Sequence, residues 1–147
     1  MIIYILFITH FLADFTFQTT KLAQKKFNDF KYLVFHGLIY AGTFLVPFFS
    51  LIKFNRAILP YFIIISSHFL VDWTRKSVDK KFNNKSIVFT SFIVDQVLHV
   101  LILAILYYTF SLYSETTPIY EHIQKLPHLN SIVTYSLTFI IIWDYVI

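Results

Sequence analysis

The sequence predicts an all-α fold, an integral membrane helical bundle of about five transmembrane helices. Three observations predict it. Apolar residues make up 57% of the 147 and charged residues only 14%, against about 25% charged in ordinary soluble domains. The mean hydropathy of +0.66 implies more apolar surface than a soluble chain of this size can hide. The apolar residues also gather into runs approaching the ~20 residues that cross a bilayer core. A disordered chain and a soluble enzyme are excluded. With no Cys, so are a disulfide scaffold, a thiolate site and an iron–sulfur cluster.

The first run covers residues 1–19. It lacks a basic leader and a small-residue cleavage site, and it carries His10 and Asp14. It therefore reads as a retained helix rather than a signal peptide. The second run, 32–52, holds Pro47 near one end and a Gly37/Ala41 pair that lets another helix approach closely. The third, 57–73, is short and holds Pro60 near its start, where a lost hydrogen bond matters least. The fourth is 86–111. The fifth, 131–147, is short and has no basic anchor at Ile147, as expected of a fragment or of a chain with a further tail. All five belong to one domain, residues 1–147.

Basic residues set the expected orientation. Lys21, Lys25, Lys26 and Lys31 follow the first run, and Arg75, Lys76, Lys80, Lys81 and Lys85 follow the third. The second connection has only Lys53 and Arg56, and the fourth only Lys125. The positive-inside rule places the first and third connections in the cytoplasm, the N-terminus outside and the C-terminus inside. A bacterial inner membrane is the expected location. The net charge of +4 is thereby explained without nucleic acid as a partner.

The chain contains an internal repeat. His10-Phe11-Leu12-Ala13-Asp14-Phe15-Thr16 matches His68-Phe69-Leu70-Val71-Asp72-Trp73-Thr74. Lys21-x-x-x-Lys25-Lys26-Phe27-Asn28 then matches Lys76-x-x-x-Lys80-Lys81-Phe82-Asn83, with a three-residue gap between the blocks. The pattern implies a duplicated helical hairpin, about 1–52 and 57–111, related by an axis along the membrane normal. Leu22, Phe27 and Phe30 in one basic segment, and Val78 and Phe82 in the other, suit short helices lying among lipid head groups. A plain solvated loop is the alternative.

Seven ionisable residues fall inside the first four runs: His10, Asp14, His36, His68, Asp72, Asp95 and His99. An Asp near a helix centre costs about 2.5–3.5 kcal/mol to insert, so its presence needs a reason. His10/Asp14, His68/Asp72 and Asp95/His99 are spaced i,i+4, so each pair shares a helix face. In the expected topology the Asp of every pair lies nearer the cytoplasm and the His one turn deeper. Gln18 continues the first face. Asp144 lacks an i±4 His and is left outside the site, and His122 and His128 are expected to be solvated in an outer loop.

Imidazole and carboxylate converging from four helices suit one or two divalent ions, Zn, Mn or Fe. Seven ligands fit a pair of ions with a bridging carboxylate. The alternative is His–Asp hydrogen bonding that joins the helices. The metal reading leads to a hydrolase acting on a lipid or polyprenyl phosphate, with Asp72 as general base and the lysine-rich segments attracting anionic head groups. A proton or metal-ion transporter is a second reading, since intramembrane His/Asp chains relay protons. A third is a non-catalytic subunit of a larger membrane assembly or oligomer.

HFLADF with Gln18, then His36, then HFLVDW, then Asp95-Gln96-x-x-His99 together resemble a family of small multi-pass bacterial membrane proteins known only as a domain of unknown function. The resemblance covers roughly residues 5–105. It implies that these polar positions are the family's hallmark, and it brings no activity with it. Where members of this type carry a longer C-terminal part, this chain stops in the fifth run.

Overall fold

A computed structural model describes residues 1–82 and 84–146, without the side chains of residues 27 and 140–146. Among the described residues the helices are α1 (Ile2–Phe11), α2 (Thr20–Asn28), α3 (Phe30–Leu51), α4 (Phe54–Phe82), α5 (Lys85–Thr109), α6 (Pro118–Gln124) and α7 (Leu129–Val146). The fold is an all-α bundle. Polar residues bounding the apolar runs start the helices. Thr19, Asp29, Asn84 and Thr117 each accept a backbone N–H from the first turn of α2, α3, α5 and α6, replacing a partner that the helix itself cannot supply.

Helices α3, α4 and α5 are long and apolar enough to cross a membrane. A fourth crossing is counted if the first helix and α2 form one broken span. Residues Ile2–Thr16 and Thr20–Lys26 are bent by 87°. The expected first run, 1–19, is therefore interrupted rather than continuous. The expected fifth, 131–147, coincides with α7, and its crossing of a bilayer rests partly on side chains outside the described residues. Asp144 is among them.

The bend has a local cause. After Phe11 the helix widens into a π-helical turn, Leu12–Thr16, in which the Phe17 N–H donates to the Leu12 carbonyl at 2.8 Å. The Gln18 amide then donates to the Asp14 carbonyl at 2.8 Å, satisfying an acceptor at the broken end. Thr19 begins α2 by accepting the Leu22 N–H. Phe17–Thr19 fall where the first copy of the sequence repeat is three residues longer than the second. The second copy has no break there, and α4 runs through Asp72 to Phe82 as one helix of 29 residues. The two basic segments thus differ: one is a separate short helix, the other the end of α4.

The interior is split in two. Ile2, Leu6, Phe44, Phe48, Ile64 and Leu103 are buried toward one end. There, the segment after α5 is stitched to the α3–α4 connection. The Lys53 N–H donates to the Glu115 carbonyl at 2.9 Å, and the Thr117 N–H to that of Leu51 at 3.0 Å. The other end, which carries α2 and the α4–α5 connection, is filled by polar side chains. Tyr40 marks the boundary, stacked on Phe44 at 4.6 Å and on His68 at 3.5 Å between ring centres. The outward faces are apolar. Leu38 and Val46 on α3, Leu59 and Phe62 on α4, and Leu101 and Ile105 on α5 are all largely exposed.

Candidate metal centre

All seven ionisable residues singled out in the sequence lie at the polar end, and none is more than 4% exposed. α1 supplies His10, the π-helical turn Asp14, α3 His36, α4 His68 and Asp72, and α5 Asp95 and His99. π-helical turns inside α-helices are frequent at functional sites; this one contains Asp14.

The centre is formed by the facing rings of α3 and α4. His36 Nε2 lies 3.1 Å from His68 Nε2. Asp72 Oδ2 stands 3.3 Å from the first nitrogen and 3.7 Å from the second. Asp14 Oδ1 stands 3.4 and 3.6 Å from the same two atoms. Around an ion with ligands at 2.0–2.2 Å, tetrahedral geometry separates neighbouring donor atoms by about 3.3–3.6 Å. Each carboxylate oxygen completes, with the two imidazoles, a triangle whose sides of 3.1–3.7 Å are close to those dimensions.

Two further groups flank this centre. His10, Asp14 and His68 offer donor atoms within 4.8 Å of one another, and so do Asp72, Asp95 and His99. His68 joins the first flanking group to the centre and Asp72 joins the second. Asp72 is thus placed as a shared carboxylate.

Cations and donors from outside the expected set surround these residues. Lys26 of α2, itself 4% exposed, brings its Nζ to 3.0 and 3.3 Å from the two Asp72 oxygens. The sequence left its segment as a short helix among head groups or a solvated loop; the segment is the helix α2, and the bend before it turns Lys26 into the bundle. Arg75 lies 3.4 Å from Asp95 Oδ2 and 3.5 Å from Asp79 Oδ2. The Gln96 amide donates to Asp95 Oδ2 at 3.0 Å and reaches Asp14 Oδ2 at 3.5 Å. The Tyr40 hydroxyl lies 3.3 Å from His10 Nδ1. Gln18 was expected on the His10/Asp14 face; it sits in the break, where its amide holds backbone. His122 and His128 are exposed.

Among the described residues, several ligand atoms find no hydrogen-bond partner: His10 Nε2, His36 Nδ1, His68 Nδ1, both ring nitrogens of His99, Asp14 Oδ1 and Asp95 Oδ1. Such groups in a buried site are costly unless something pairs with them. Tyr40 and Arg75 were legible in principle. Tyr40 follows His36 by four residues and Arg75 follows Asp72 by three, so each shares the face of a site residue. Lys26 had no such signal, because only the bend brings it to Asp72.

The family described as "Protein of unknown function (DUF3307)" matches residues 2–127. The chain belongs to this family. All seven site residues, together with Lys26, Arg75 and Gln96, fall inside the DUF3307 match. No curated protein and no solved structure matches the chain.

Proposed function

We propose that this DUF3307 protein is a membrane-embedded, metal-dependent hydrolase whose substrate is a lipid or polyprenyl phosphate. The observation that carries the reading is the His36–His68–Asp72 triangle, with sides of 3.1, 3.3 and 3.7 Å. Three protein ligands with a remaining open position are the pattern of catalytic zinc. Charge supports it as well. Among the described residues, Asp72, Asp79 and Asp95 meet Lys26 and Arg75, while Asp14 stands against the imidazoles of His36 and His68. With the carboxyls ionised and the imidazoles neutral, two negative charges are left over, and buried charge without a partner is strongly destabilising. One divalent ion balances them.

In this reading His36, His68 and Asp72 hold the ion, and Asp14 or the Asp95/His99 group holds a second one. An ion held there would supply a water of lowered pKa and polarise a phosphoryl oxygen. In the net reaction water would replace the lipid alcohol on phosphorus, and the alcohol would leave carrying one of the water's protons. Asp72 was expected as general base, but it is held between Lys26 and His36 and suits a ligand. Asp95, whose Oδ1 has no hydrogen-bond partner among the described residues, keeps that oxygen for the second ion. The protein lies in a bacterial inner membrane with its basic end in the cytoplasm and its N-terminus outside, following the lysine distribution.

A second reading has its own observation. The Lys26–Asp72 and Arg75–Asp95 ion pairs are what a purely structural cluster would use to join α2, α4 and α5. Metal analysis of protein purified without a His-tag separates the two. One or two divalent ions per chain are expected, with His36→Gln and Asp95→Asn each lowering that content while the helical fold survives. Full metal content in both variants would defeat the hydrolase reading. So would the absence of any co-purifying ion together with indifference to chelators, and the cluster would then be structural.

A further inference from the structure

We infer that the cleft between α4 and α5 seats the apolar chain of a phosphate-bearing lipid, with the phosphate delivered beside Asp95. This rests on the lipid-phosphate reading above and assigns that site its route of entry. The cleft encloses about 520 Å³, well within the usual range of ligand sites, roughly 300–1,000 Å³. Its walls run from Leu70 to Val78 on α4 and from Ser86 to Leu98 on α5. At 1.5 Å per residue these stretches are about 12 and 18 Å long, close to half of a ~30 Å hydrocarbon core. The cleft therefore has the length of a chain from one leaflet.

Its chemistry is graded along that length. Leu70, Val94 and Leu98 wall the deep end and are each about half exposed, at 54, 50 and 41%. The cleft thus opens sideways on the bundle's outer surface, where an acyl or prenyl chain would lie. Thr74, Arg75, Thr90 and Ser91 line the same cleft further along. Ser91 donates to Asp79, which also pairs with Arg75. A site for hydrocarbon alone needs none of these groups. Asp95 belongs both to this lining and to the Asp72–Asp95–His99 group, so a head group halted at Arg75 is already at the edge of the cluster.

Asp79 and Asp95 share Arg75, so the inner end of the cleft is not strongly cationic by itself. The preference for phosphate over an uncharged head group comes from the ion held by the cluster. That dependence makes the assignment testable. A polyprenyl phosphate carrying a photoreactive chain is crosslinked to the full-length protein in vesicles, with excess Mn²⁺ or with chelator. Crosslinks are expected at Leu70, Val94 and Leu98. With metal, unlabelled polyprenyl phosphate should compete at least about tenfold better than the matching polyprenol, the scale of one charge-assisted contact. Inorganic phosphate should not displace the chain.

Val94→Trp and Leu98→Trp fill the cleft from its exposed side. Each should abolish these crosslinks while leaving the metal content of the protein unchanged. Unaltered crosslinking in both variants, labelling spread evenly over the outward face of α3, or displacement by inorganic phosphate would overturn the cleft assignment while leaving the metal centre standing. Crosslinks confined to the cleft with no bound metal, and equal competition by phosphate and alcohol, would support the chain site and overturn the hydrolase reading.

Discussion

Replacing Lys26 with methionine tests the site most directly. Methionine keeps much of the side chain's length and apolar volume and removes only the charge. Lys26 and Asp72 are 5 and 2% exposed in their side chains, with Nζ 3.0 Å from Oδ2, so solvent screens the pair little. Removing one partner of such a pair costs about 3–5 kcal/mol, because the other charge is left buried. At about 2–4 °C per kcal/mol for a chain of this size, the unfolding midpoint should fall by roughly 6–20 °C. The measurement is thermal unfolding in detergent with chelator present. Lys25→Met is the control, since Lys25 is exposed and, among the described residues, meets the Tyr32 hydroxyl and ring. It should stay within about 0.5 kcal/mol of the parent protein. Adding a divalent ion should recover part of the Lys26→Met loss, because the ion supplies charge to Asp72. If Lys26→Met unfolded like Lys25→Met in chelator, Lys26 would not be buried on Asp72, and the packing of α2 against α4 through this ion pair would be refuted.

Three further outcomes follow from the same geometry. Deleting Phe17–Thr19 gives the first copy the spacing of the second, so the first helix should run straight; a cysteine pair at positions 26 and 72 should then crosslink only in the undeleted chain. Lys25→Cys and Lys80→Cys, both exposed sites in a chain without native cysteine, should resist an impermeant thiol reagent added to intact cells; labelling of either from outside would invert the topology. Phe44→Ala empties a fully buried position and should lower stability by about 3–5 kcal/mol without changing metal content, since Phe44 lies in the apolar half; loss of metal in that variant would show the two halves to be coupled.

The sequence by itself determined the class of fold and the seven His and Asp members of the polar cluster, though not Lys26. Apolar runs of bilayer length leave few alternatives to a helical bundle, because backbone groups in hydrocarbon must be satisfied within the helix. The i,i+4 spacing of His10/Asp14, His68/Asp72 and Asp95/His99 marked one face on each of three helices, since side-chain direction in a helix follows from sequence separation alone. The tertiary structure decided what those faces meet. The three extra residues of the first repeat copy are visible in the sequence, but whether they loop out, extend the helix or bend it depends on the partners available to its freed backbone groups. The 87° bend and the Gln18 and Thr19 contacts answer that, and they bring Lys26 to Asp72 across 46 positions of chain. The His36–His68 approach and the α4–α5 cleft are likewise products of helix packing. No local spacing encodes them, because each depends on the relative rotation of two helices, which is set by all their contacts together.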